Sequence, residues 1–199
     1  YLNENRVEGF LFRYKHFWGN FNHYVVSHVW YAKEIRIIRN DPEIHSWKDA
    51  QSFRRIPDFD GMDYLRKENT KKLNVIELDA EVYHYGYVRP PYLMQKKRKN
   101  HTSNYIGEDS ATRIFKDQLV EFDYGDLTKV NQFTESSPQS MKEFIKRFDW
   151  EDKLHFGSVP PNYIPQKHEK LKYRILTFLE QNLFGGKQIM SFKNYNIIK

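Results

Sequence analysis

The sequence predicts an α+β fold, and two observations predict it. Period-two alternation of apolar and polar residues dominates the first 90 or so positions. Helical spacing dominates the rest, and no strand–helix–strand unit joins the two. The chain has 199 residues, enough for one good core, or for one domain with a helical tail. Hydrophobic residues at 39% and charged residues at 29% are globular proportions.

Glu8 to Phe17 alternates as a strand. Phe10, Phe12, Tyr14 and His16 face one way, and Leu11, Arg13, Lys15 and Phe17 the other. Trp18-Gly19-Asn20 ends it. A second strand is expected from Val29 to Arg39, apolar enough on both faces to lie inside a sheet. Asn40-Asp41-Pro42 is a turn, and Lys48 to Arg55 reads as a short helix or loop. A polar excursion runs from Ile56 to Lys72. Two further strands follow, Leu73 to Leu78 and Ala80 to Val88. Pro91 then suits the first turn of a helix from Tyr92 to Tyr105. Further helices are expected over Ser110 to Glu121, from Ser137-Pro138 to about Phe148, and from His168 to Leu183. Gly185-Gly186 stops the last of them, before an extended tail. The boundary this suggests divides strands at 1–91 from a helical extension and tail at 92–199.

Charge and composition limit the chemistry. The chain carries no cysteine, which leaves His, Asp and Glu as metal ligands. The net charge of +6 permits anionic partners. The aromatic share of 17% suits sheets or stacking surfaces, sugar-binding clefts among them. No apolar run approaches the length of a membrane span. The expectation is a cytoplasmic protein, with the inner face of the membrane as one station.

The stretch from Ile44 to Pro91 carries the candidate site. At one end Asp49, Gln51 and Arg54 place a carboxylate, an amide and a cation beside Trp47 and Phe53. A carboxylate there can take a proton from an attacking hydroxyl; as a plain alternative, Asp49 caps a short helix. At the other end His84 closes an apolar strand just before Gly86 and Pro90-Pro91. A neutral imidazole there can bind a divalent metal; the alternative is a hydrogen-bonded core histidine among tyrosines. Asp58-Phe59-Asp60 has the spacing of a metal grip but stands in a charged loop, and a solvated loop is the preferred reading. The run Lys96-Lys97-Arg98-Lys99 reads as a solvated helix face.

Five segments in order resemble a bacterial group of family 2 glycosyltransferases, over about residues 7 to 150. They are Gly9-Phe10-Leu11-Phe12, Tyr14 to Gly19, Trp30 to Asn40, Asp49 to Arg54, and Tyr83 to Pro91. The resemblance implies a GT-A, Rossmann-like sheet that binds a nucleotide-sugar donor, of which this chain carries the acceptor-side, C-terminal part. It implies a divalent metal, manganese or magnesium, held by an Asp-x-Asp that would precede Tyr1. It also implies an acidic base at the place of Asp49 and a metal-shell histidine at the place of His84. A hydroxyl of a carbohydrate-type acceptor would be the nucleophile. Trp18, Trp47, Tyr85 and Tyr87 are candidates to stack on sugars, and Gln51, Arg54 and Arg89 to bind substrate. Arg89, Lys96 and Arg98 could meet phosphate oxygens. With its partners expected before Tyr1, the first strand would stand at an exposed sheet edge and favour a homodimer. The alternatives are a nucleic-acid-binding module, suggested by the basic run, and a purely structural interaction module. The 26 acidic residues interleaved along the chain weigh against nucleic acid.

Overall fold

The computed structural model describes residues 1–191 and 193–199, with residues 49–51 described in their backbone only. The fold is mixed α+β, with an open mixed sheet and helices. The chain forms two compact units, each assembled from separated stretches. The first comprises residues 1–14, 28–82 and 175–199, and the second 15–27 and 83–174. The boundary expected at residues 91/92 coincides with neither unit.

The first unit is built on the opening part of β1 (Gly9–Trp18) and the opening part of β6 (Lys71–Tyr87). Strand β3 (Lys33–Ile38) pairs antiparallel with β1, from Gly9 opposite Ile38 to Arg13 opposite Lys33, with a bulge after Phe10. Gly9 is required there, since a Cβ on it would stand 2.9 Å from the Ile37 carbonyl oxygen. Strand β6 flanks the other side of β1. The first strand is therefore interior, and the expected exposed edge is not found at β1.

Strands β4 (Ile44–Trp47) and β5 (Asp49–Arg55) form a hairpin, with Ile44 opposite Arg55 and Ser46 opposite Phe53. A helix or loop was expected over Lys48 to Arg55. The backbone of Lys48 decides otherwise: its φ of +68° is left-handed and reverses the chain between the strands. No Asn-Gly or Asp-Gly announces that turn. Strand β5 pairs with the start of β6 through Arg54 and Lys72. Strand β8 (Tyr195–Ile197) runs parallel to β6, with Leu73 opposite Tyr195.

The two strands expected over Leu73 to Val88 are one strand. Leu78-Asp79-Ala80 holds no Gly or Pro to break it, and the Asp79 carboxylate accepts from Arg13 at 2.5 Å. The core of this unit is aliphatic: Leu11, Ile35, Ile44, Leu73 and Val75, closed by Ile38, Phe53 and Tyr195. Three carboxylates surround the Arg55 guanidinium, which donates to Glu8, Glu43 and Asp41 at 2.9, 2.7 and 2.8 Å.

The second unit takes the far ends of β1 and β6. There β2 (His23–Val25) pairs with β1, and β7 (Asn131–Gln132) with β2. Helix α1 (Pro91–Ile106) starts where expected, with Pro in its first turn, and buries Pro91 and Met94. Helix α2 (Glu108–Phe115) stops short of the expected Glu121, and the Phe122 amide bonds back to the Pro91 carbonyl. The helix expected after Pro138 is a 3-10 turn followed by the short α3 (Lys142–Lys146). Helix α4 (Leu171–Leu183) runs across residue 174, where the first unit resumes. The core here is aromatic. Phe17 and Phe133 meet edge to face at 4.9 Å, as do Phe122 and Tyr124 at 4.8 Å.

Candidate functional site

In the first unit, the hairpin brings Trp47 and Arg54 together. The Arg54 guanidinium lies 3.8 Å over the Trp47 ring and donates to Asn194 Oδ1 at 2.8 Å and Thr70 Oγ1 at 2.9 Å. Burial lowers the pKa of that guanidinium. Trp47 itself is only 1% exposed, and its indole N–H donates to the Arg66 carbonyl at 2.7 Å. Asp49 and Gln51, expected as base and substrate contact, have side chains outside the described residues. In the Asp58-Phe59-Asp60 loop, Asp60 Oδ1 accepts from the amides of Met62 and Asp63, both at 2.9 Å. Those bonds lower its pKa, and the carboxylate serves the turn, as the solvated-loop reading requires.

In the second unit, Trp18 is 2% exposed and donates its indole N–H to the Tyr124 carbonyl at 2.8 Å. Tyr87, Phe122, Tyr124 and His168 surround it at ring distances of 5.1 to 5.7 Å. Expected as stacking platforms, Trp18 and Trp47 are thus core residues here, with both ring faces taken up by protein. Tyr85 is half-buried against Phe17 at 4.5 Å, and burial raises the pKa of its hydroxyl.

His84 stands in a distinct setting. Its Nδ1 lies 3.2 Å from Nδ1 of His16, and the rings meet edge to face. Two nitrogens at that distance share one proton: one ring donates and the other accepts. The far edge of the His84 ring crosses Gly86. A Cβ on Gly86 would stand 2.7 Å from both Cε1 and Nε2. The Lys97 ammonium reaches the same place, donating to the Gly86 carbonyl at 2.7 Å and lying 5.0 Å over the Tyr87 ring.

Arg98 lies 4.9 Å over the Phe122 ring. Burial, and after it the charge of Arg89, pushes the Lys97 pKa down. Burial does the same to Arg98, opposed by Tyr87. Among the described residues Arg89, Lys97 and Arg98 make no ion pair, and Arg89 is exposed. The basic run is therefore only partly a solvated face. Lys97 and Arg98 stand three and four residues after buried Met94 and share its inward side.

Sequence reasoning singled out Lys96, which is exposed, and passed over Lys97 and His16. The phase set by Pro91 and Met94 could have found Lys97. For His16 the available signal was its place at the end of an alternating strand.

His16 and His84 bring two nitrogens together. No group of three or more His, Asp or Glu able to hold a metal is found among the described residues. Manganese and magnesium take several oxygen ligands. The described residues do not by themselves compose the metal site that the resemblance implies.

What fold and site define is a mixed α+β protein with a histidine pair and, at Gly86 next to it, a lysine that makes no ion pair among the described residues. Compared with protein-family models, curated proteins and solved structures, the chain matches none. Among the described residues no helix is long and apolar enough to cross a membrane.

Proposed function

We propose that this chain is the acceptor-side part of a GT-A glycosyltransferase of family 2 type, moving a sugar from a nucleotide-sugar donor to a hydroxyl acceptor. The observation that carries the reading is the cation set Arg89, Lys97 and Arg98, of which Lys97 reaches the Gly86 that the His84 ring crosses. Lys97 and Arg98 are half-buried and Arg89 is close in sequence, and none of the three has a carboxylate partner among the described residues. Half-buried cations without counter-ions favour an anion, and a diphosphate supplies one. In the reaction the acceptor oxygen bonds to the anomeric carbon, and the carbon–oxygen bond to the diphosphate breaks. The electron pair stays on the diphosphate, whose charge the cations offset. Asp49 keeps the proposed role of base for the acceptor proton.

The test is a nuclear magnetic resonance titration of the chain with pyrophosphate and with a uridine diphosphate sugar, with and without manganese. Manganese is included because the resemblance implies a divalent cation. Three cations suit weak binding, in the range of about 1 mM, or about −4 kcal/mol. The expected result is saturable shifts at residues 84–98 that Lys97→Met weakens several-fold. Absence of such shifts, or titration of the Lys97→Met and Arg98→Met variants equal to that of the parent chain, rejects the reading.

A further inference from the structure

Helix α4 buries Glu180, half-buries Tyr173, Leu176, Thr177 and Leu179 around it, and leaves a second apolar set outward. Glu180 is buried, and its Oε1 accepts from His28 Nδ1 at 2.6 Å and from the Ile189 amide at 2.7 Å. One turn earlier, Thr177 Oγ1 accepts from the His28 amide at 2.9 Å. At roughly 100° per residue, the side opposite Glu180 is a stripe of Leu171, Ile175, Phe178 and Asn182. Its three apolar members are 70%, 51% and 63% exposed. Leu183 at the helix end, and Phe184 and Met190 past it, continue the exposed apolar surface. The inward side holds the Glu180 and Thr177 contacts together with half-buried Leu176 and Leu179, and the stripe of Leu171, Ile175 and Phe178 is left to water.

Charge accompanies the stripe. Lys172 and Arg174 flank it on either side, and Lys167, Lys170, Lys187 and Lys193 are exposed nearby in sequence. The only acidic residues from 167 onward are Glu169 and Glu180. Glu180 is buried as above, and Glu169 accepts from the Tyr163 hydroxyl and the Gln166 amide. The outward side of α4 therefore combines aliphatic and aromatic bulk with cations, and among the described residues from 167 onward no side-chain carboxylate stands free.

From this charge complementarity we propose that α4 and the residues after it dock on an anionic lipid surface. The stripe would enter the boundary between headgroups and acyl chains, while Lys172 and Arg174 extend to headgroup phosphates. A nucleic acid would use the cations but leave the aliphatic stripe unburied. The inference is independent of the function proposed above, since it uses none of the residues around His84.

The test is co-sedimentation of the full chain with phosphatidylcholine vesicles, alone or with about one-third phosphatidylserine, at low and high salt. The variants are Ile175→Ser/Phe178→Ser and Lys172→Gln/Arg174→Gln, all at exposed positions, with folding checked by circular dichroism. The expected result is binding to the anionic vesicles only, lost at high salt. Each cation removed should weaken it about fivefold, and the serine pair at least about tenfold. No binding, or equal binding to neutral vesicles, overturns the proposal. So does self-association in solution that the serine pair abolishes, which would assign the stripe to a second copy of the chain.

Discussion

Replacing Trp18 by Phe separates a core role from a sugar platform. The substitution keeps an aromatic ring but removes the indole N–H that bonds the Tyr124 carbonyl at 2.8 Å. A buried carbonyl left short of a bond costs about 1–3 kcal/mol. The smaller ring also leaves space among Tyr87, Phe122, Tyr124 and His168, which adds about 1–2 kcal/mol. Together these amount to about 2–5 kcal/mol. In a protein of this size each kcal/mol moves the melting midpoint by about 2–4 °C, so a fall of about 4–20 °C is expected. Thermal unfolding followed by far-ultraviolet circular dichroism reads it directly. A midpoint within about 2 °C of the parent, together with weakened sugar binding, would refute the core assignment and restore Trp18 as a stacking surface.

Other perturbations probe the remaining claims. Gly86→Ala should force the His84 ring away from His16, at a stability cost of about 1 kcal/mol or less because the ring can swing; unchanged imidazole nitrogen shifts would reject the pairing. Burial first, opposed by Glu169, holds the His168 pKa below its ordinary 6.5. The neutral ring is therefore the folded form, and stability present above about pH 6.5 is lost as pH falls through the folded pKa. The hydrogen bond from Thr128, with that from the Gly157 amide next, holds Asp126 at about 2. Its contribution is complete above the unfolded value of 3.8 and disappears as pH falls toward about 2, and Asp126→Asn should remove that acid step from a pH–denaturation profile. Arg55→Met should destabilise the first unit by about 1–3 kcal/mol in urea, by leaving Glu8, Asp41 and Glu43 to repel one another. Added salt should recover part of that loss, and a salt-independent loss would point to packing instead.

The sequence by itself determined the elements whose signals are local. Alternation from Glu8 to Phe17 marks β1, and Pro91 with the spacing that follows marks α1, because period and proline chemistry act within a few residues. It also marked Trp47 with Arg54, and His84 before Gly86, as places of concentrated chemistry. Tertiary structure decided the rest. The left-handed φ of Lys48 makes a hairpin out of an expected helix or loop. Pairing on both sides makes β1 an interior strand. Burial turns two candidate stacking tryptophans into core, and inward phase selects Lys97 over Lys96. The physical reason is common to these cases. A side chain's role depends on which residues, distant in sequence, close around it, and local periodicity carries no record of them.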